Sequence, residues 1–330
     1  VKPAPDISSS EDSSVYTEYI KYILSSCRAP IVCLDERVAR RLTEEAEARG
    51  MSPSQYLSYL MDRSAPRGRV DLLPLRYKAE VAAAVSRGAL ESLRRVAVVW
   101  SGGKDSTLVL HLFREASSAT GRDFDVAFID HYMHFEETLE FVDEVAREWG
   151  LRVIFKGNER LRGYSYGDEV RVDDLDPIDA EELLRIGYTA PTFRFSLDNV
   201  AANHLLKTVP LKELVIERGY EGLAVGIRWD ENPARAGEVF FSRRTDPTHV
   251  RVHPILPFTE RDVWEYTLSN GLPVNPLYGR GYRSIDDKYE TRPSGDRPAW
   301  EQDLEGTPER AGRAQDKEGI MELLRRYGYM

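Results

Sequence analysis

The 330 residues carry 45 basic and 55 acidic side chains, and a net charge of −10 excludes a surface built to coat nucleic acid, leaving room only for a local basic patch. The 42% hydrophobic content is that of an ordinary globular chain, and no run of about eighteen uncharged apolar residues occurs, so no membrane-spanning helix is expected. The only cysteines, Cys27 and Cys33, have neither a Cys-x-x-Cys spacing nor a nearby histidine pair, which argues against a disulfide framework and against zinc. Residues Val1 to Asp6 lack the apolar core of a secretory signal, so the expected location is the cytoplasm.

Residues 1–15 are rich in serine and proline and are expected to be disordered. Residues 16–69 read as a small, α-rich unit. Ile31 to Leu34 forms a short strand, and Asp35 caps a helix from Glu36 to Arg49 with Val38, Leu42 and Ala46 four apart. Gly50 ends that helix, and Ser52-Pro53 starts a second one through Met61. Residues 70–330 are expected to form the main domain. Tyr77 to Arg95 reads as a helix and Val96 to Trp100 as a buried strand. A helix through Thr107 to Phe113 follows, then a strand over Val126 to Asp130. The helix from Glu136 to Trp149 places Leu139, Val142, Val145 and Ala146 on one face, and Val153 to Phe155 reads as a third strand. The acidic stretch 157–192 shows no periodicity and is expected to be a mobile loop or lid. Leu211 to Arg218 reads as a helix and Leu223 to Ile227 as a strand, and Thr259 starts a helix with Asp262 placed to answer its cap. Strands alternating with helices indicate an α/β fold with a doubly wound, mostly parallel sheet, whose ligands sit at the carboxyl ends of the strands.

The chemistry concentrates at one such end. Ser101-Gly102-Gly103-Lys104-Asp105-Ser106 links a strand to a helix. Glycines allow backbone N–H groups to approach a phosphate, the helix N-terminus adds partial positive charge, and Lys104 adds a full one. This is not a Walker A loop, because Asp105 follows the lysine. Asp130, at the end of the second strand, suits ribose, adenine or a metal ion, or else caps a turn. His134 suits a substrate contact or a structural hydrogen bond. Arg228 and Arg235 lie in a strand-end loop and can grip a tetrahedral dianion through charge-assisted, bidentate hydrogen bonds. Arg243 and Arg244 add charge soon after, unless they form ordinary surface ion pairs.

The loop resembles the PP-loop of the ATP pyrophosphatase superfamily, whose members cut ATP between the α- and β-phosphates. The run Phe128-Ile129-Asp130-His131-Tyr132-Met133-His134 through Phe141 resembles a signature shared by phosphoadenylyl-sulfate reductases and the small subunit of bacterial ATP sulfurylase. Gly226-Ile227-Arg228, with Arg235-Ala236, is similar to the segment that contacts sulfate or phosphosulfate in those families. Glu309-Arg310-Ala311-Gly312-Arg313 and Arg325 to Tyr329 look more like the ATP sulfurylase subunit. The strand–helix–helix order of the N-terminal unit resembles a ribbon-helix-helix module, against the plainer reading of a helical hairpin at a domain flank or dimer contact.

The resemblance implies an adenine nucleotide α-hydrolase-like fold and adenylyl transfer from ATP to an oxyanion, with sulfate favoured. Ser101, Gly102, Gly103, Lys104, Asp105 and Ser106 would hold phosphates. Mg2+ would sit near Asp105 or Asp130. Arg228 and Arg235, with Arg243 and Arg244, would hold the oxyanion. A GTPase partner subunit and a homo-oligomer are the implied assemblies. No cysteine follows Cys33, which argues against the thiolate chemistry of the reductases and against an iron–sulfur cluster, since Ala201 to His204 holds no cysteine. Three alternatives stay open. One is a sulfonucleotide enzyme of reductase type without its C-terminal cysteine. Another is an FAD synthase-like FMN adenylyltransferase, which Arg243 to Pro247 also resembles. The third is a nucleotide-sensing DNA-binding regulator.

Overall fold

The computed structural model describes residues 73–307 apart from 232–234 and 236–237, together with Arg40, Thr43, Glu44 and Glu309. Arg40, Thr43 and Glu44 are helical, inside the span expected for the helix after Asp35. The other expectations for residues 1–69, and those for Arg310 to Arg313 and Arg325 to Tyr329, lie outside the described residues.

Helix α1 (Leu75–Ser92) buries Ala82, Val85, Ala89 and Leu90, and it packs on α2 (Lys104–Thr120). Between them β1 (Val96–Val99) is four apolar residues long, too short and too uniform for anything but a buried central strand. Strand β2 (Asp125–Asp130) leads to α3 (Glu136–Glu148), and β3 (Val153–Gly157) follows. Helix α3 buries Thr138, Phe141, Val142 and Val145, while Leu139 is exposed. The buried stripe is therefore turned from the expected one, and the large Phe141 ring takes the inward position.

The stretch 157–192 is not an irregular lid. Strand β4 (Glu169–Arg171) pairs antiparallel with β5 (Thr192–Arg194), Val170 opposite Phe193. Helix α4 (Pro177–Arg185) starts at the Asp176 cap, whose side chain accepts from the Ile178 N–H, with Pro177 in the first turn. Leu161, Val170, Leu183, Ile186, Phe193 and Phe195 form a buried cluster with Leu205 and Leu206. Beneath it, the fully buried Asp179 accepts from Asn158 Nδ2 at 2.9 Å and from Arg160 Nη2 at 2.8 Å. The helix α5 (Val200–Asn203) runs through a wide turn over His204–Thr208 into α6 (Val209–Arg218).

Strand β6 (Gly222–Ala224) then enters the sheet beside β1, and β7 (Phe241–Thr245) and β8 (Thr248–Val252) form a hairpin at the far edge. The order is β3-β2-β1-β6-β8-β7, parallel throughout except for β7. Val98 pairs with Val126 on one side and Ala224 on the other. One face of the sheet is covered by α6 through Leu214, Val215, Ala97, Ala127 and Leu223. The expected helix after Thr259 is α7 (Glu260–Ser269), closed by a reciprocal capping box between Thr259 and Asp262. The short α8 (Pro276–Gly279) follows. The order of strand addition reverses at β1, with β2 and β3 laid down on one side and β6 on the other, so the crevice at the carboxyl ends of β1 and β6 is the topological switch point where α/β sheets bind ligands. No helix among the described residues is long and apolar enough to cross a membrane.

Candidate active site

Two loops meet at that switch point. The first leaves β1 and turns at Gly102, whose φ of +73° lies in the left-handed region that favours glycine. A Cβ there would also come within 3.1 Å of Thr138 and Val142 on α3. Gly103 precedes Lys104, the first residue of α2, and as N-cap it offers the first-turn N–H groups no side chain. The loop is braced from within. Ser101 N–H donates to Ser106 Oγ at 3.2 Å, and Ser106 Oγ donates to the Gly103 carbonyl at 3.0 Å. The two serine hydroxyls lie 3.1 Å apart. From α8, Tyr278 accepts the Lys104 backbone N–H at 2.9 Å, and Asn275 Nδ2 donates to Thr138 at 3.1 Å. Burial raises the Tyr278 phenol to about 12, so it stays neutral.

The second loop leaves β6 and crosses the first turn of α2 at Gly226. A Cβ on Gly226 would stand 2.7 Å from the Asp105 carbonyl carbon and 2.8 Å from Ser106 N, distances that backbone atoms cannot concede. This crossing delivers Arg228, which is fully buried. Its Nε donates to Asp230 Oδ1 at 2.9 Å, Nη1 pairs with Asp105, and Nη2 pairs with Glu309. Lys104 Nζ lies 3.0 Å from Asp105 Oδ2 and also pairs with Glu309. Asp230 Oδ2 in turn accepts the Glu260 N–H at 3.0 Å, and Glu260 pairs with the buried Arg283 at 2.5 Å.

Two cations and three carboxylates thus share one water-poor cluster. Burial alone would lower the Lys104 ammonium, but Asp105 and Glu309 hold it above its ordinary value. Burial would likewise lower Arg228, and Asp105, Glu309 and Asp230 keep it charged. Burial raises the Asp230 carboxyl against the pull of Arg228.

At the end of β2, Asp130 Oδ1 accepts the Tyr132 N–H at 2.8 Å and stabilises a turn in which Tyr132 has φ of +64°. His134 stacks on His131 with ring centroids 3.6 Å apart, and its Nε2 lies 3.2 Å from the Ile129 carbonyl. Burial lowers His134 to about 4, leaving it neutral.

The fold therefore gathers Lys104, Asp105 and Arg228 into direct contact. Arg235 pairs with Glu231 within its own loop. Arg244 pairs with both Glu238 oxygens, at 3.0 and 3.2 Å, and lies with the exposed Arg243 on β7, separated from β1 by β6 and β8. Sequence reasoning missed the parts played by Asp230, Glu260 and Glu309. Glu309 lies 205 residues from Lys104, and no spacing rule reaches that far. Asp105 is engaged by Lys104 and Arg228, and no group of three or more metal-ligating side chains converges among the described residues.

Fold and site together define an α/β protein with a lysine-bearing, glycine-rich loop at the switch point of a mostly parallel sheet. Residues 95–293 match the phosphoadenosine phosphosulfate reductase domain, and the chain belongs to that family. Sulfate adenylyltransferase subunit 2 of Chelativorans sp. is 29% identical over 217 residues, covering 59% of this chain and 64% of that protein. An uncharacterized protein of Methanocaldococcus jannaschii is 34% identical over 196 residues, covering 58% of this chain and 35% of its own length. The chain thus spans less than two thirds of either relative. Yeast FAD synthetase in complex with FAD aligns with a TM-score of 0.49 at 16% identity, over 78% of this chain and 99% of that one.

Proposed function

We propose that this chain transfers an adenylyl group from ATP to an oxyanion, with sulfate the preferred acceptor. The observation that carries this reading is the meeting of Lys104 and Arg228, from loops after neighbouring parallel strands, at the N-terminus of α2. An acceptor oxygen attacks the α-phosphorus, the bond to the β-phosphate breaks, and pyrophosphate leaves with the electron pair. Such a reaction asks the protein for charge neutralisation and alignment rather than covalent chemistry. Lys104 and the N–H groups of α2 neutralise the leaving pyrophosphate, and Arg228 orients the phosphates against it. Arg235, Arg243 and Arg244 are the candidates for the acceptor. Magnesium enters as part of the nucleotide substrate, which needs only one or two protein oxygens to receive it. The relative named as a subunit 2 supports a second subunit, and the family chemistry makes a GTPase the first candidate.

Reductase chemistry is the second reading of the family. It needs a thiolate at the sulfur, and no cysteine follows Cys33. Pyrophosphate release from magnesium–ATP by the purified chain tests the proposal, with no acceptor, with sulfate or molybdate, and with FMN. Release that depends on sulfate or molybdate supports it. Release with FMN alone moves the chain to flavin chemistry. ATP binding without release under any acceptor sinks adenylyl transfer by this chain on its own.

A further inference from the structure

Glu309 reaches back across 205 residues to place one carboxylate oxygen on Lys104 and the other on Arg228. Its side chain is only 10% exposed. Burial would push its carboxyl up, but Arg228 and Lys104 hold it well below the usual carboxylate range, so it sits there as an anion. The two cations have other partners. Asp105 already pairs with both cations, and Asp230 adds a second partner for Arg228. Without Glu309 the charges balance two to two, and with it they stand at two cations against three carboxylates. An extra anion held between two cations, at the mouth of a helix N-terminus, matches the place and the bidentate shape of a phosphoryl group.

The segment that carries Glu309 is tethered just upstream. Arg283 Nη1 donates to the Asp303 carbonyl at 3.0 Å and to Thr307 Oγ1 at 2.6 Å, while its Nη2 stays on Glu260. Glu309 can therefore leave the cations while residues 303–307 stay anchored.

We infer that Glu309 is a built-in occupant of the anion site, a phosphoryl-mimicking carboxylate that a substrate must expel in order to bridge Lys104 and Arg228. It acts as a selectivity device. A ligand that offers one anionic oxygen replaces one of the two ion pairs, whereas a phosphoryl or pyrophosphoryl group replaces both. The inference rests on the phosphate-site reading of the Ser101–Ser106 loop, and it does not depend on adenylyl transfer.

Inorganic pyrophosphate is the probe, with affinity read by calorimetry and exposure of the chain from residue 308 onward, past the Arg283 tether, read by hydrogen exchange. In the unsubstituted chain, pyrophosphate should speed exchange in that segment. Glu309→Gln should bind pyrophosphate about tenfold more tightly, because a competing closed state no longer reduces the binding-competent fraction. Glu309→Asp keeps the charge on a shorter stem and should fall between the two, and it serves if the glutamine variant fails to fold. Equal or weaker binding by both variants, or unchanged exchange in the unsubstituted chain at saturating pyrophosphate, overturns the inference. Lys104→Ala that binds pyrophosphate as tightly as the unsubstituted chain overturns the phosphate-site reading and this inference with it. Pyrophosphate that displaces Glu309 while ATP is never turned over leaves the inference standing and removes adenylyl transfer.

Discussion

Arg228 pairs with Asp105 across 123 residues of sequence, and that contact joins the loop after β6 to the first turn of α2. The two loops belong to adjacent parallel strands, so their relative position is already set by the sheet register. The ion pair adds orientation. It holds the guanidinium against the helix N-terminus, with one edge toward Asp230 and the other toward Glu309.

Arg228→Lys is expected to be a severe change. An ammonium cannot serve three part-buried carboxylates through a planar fork, and Asp230 has no ion pair with Lys104 to fall back on. Stability should fall by about 3 kcal/mol, the cost of breaking a buried pair. Urea denaturation measures this loss, and pyrophosphate release should drop by about 100-fold with it. Turnover at the original rate would remove Arg228 from the site.

Lys104→Ala tests the loop itself. The lysine ammonium is buried beside Asp105 and carries the one positive charge in the first turn of α2. Its loss should cut pyrophosphate release by about 10²–10³-fold, as for a removed electrostatic stabiliser. Far-UV circular dichroism should be unchanged, because α2 is held by Leu108, Val109, Leu112 and Phe113 in the core. Persistent release would place the chemistry elsewhere.

Gly226→Ala separates close packing from charge. The added methyl would meet the Asp105 and Ser106 backbone at 2.7–2.8 Å, and neither can move without shifting the Ser101–Ser106 loop. The expected cost is about 1–3 kcal/mol, typical of overpacking, together with weaker nucleotide binding. Gly163→Ala is the control, since nothing lies within 4 Å of its Cβ position. Equal denaturation midpoints for the two variants would mean that the loops are looser than this contact requires.

The parts of this architecture that were legible in the sequence are those whose cause is local. The run Val96 to Val99 is apolar throughout, the Gly102-Gly103-Lys104 turn follows at once, and Thr259 meets its capping partner three residues on. The layer between β3 and α6 was not legible. Its strands are three residues each, and its apolar side chains, such as Val170, Leu183 and Phe193, are spaced too widely among acidic residues to show a period. The β7–β8 hairpin escaped notice because Arg243 and Arg244 drew a reading as ligand-binding charge. Their alternation across the strand places one toward solvent and the other on Glu238. Within the site, the cations were readable from residue type. Their carboxylate partners were not, because Asp230 and Glu309 acquire meaning only through the crossing at Gly226 and the return of the chain past Arg283.

The buried histidines predict a stability profile in acid. His249 Nε2 accepts from Arg251 Nε at 3.1 Å, which leaves the proton on Nδ1, 2.7 Å from the Pro247 carbonyl. Burial and the Arg251 charge lower this imidazole from its ordinary 6.5 to about 4, and burial likewise takes His134 and His253 to about 4. The sign follows from proton binding. Between pH 6.5 and 4 the unfolded chain takes up protons that the folded chain refuses. Stability should therefore be fully present above pH 6.5 and should decline as the pH falls toward 4. Each histidine contributes about 1–3 kcal/mol to that decline. Urea denaturation at a series of pH values should show a flat upper limb and a falling lower one. His249→Gln should flatten the lower limb by one proton's worth of slope, since glutamine has nothing to titrate there. A flat profile from pH 7 to 4.5 in the unsubstituted chain would show that these imidazoles are protonated as readily in the folded state as in the unfolded.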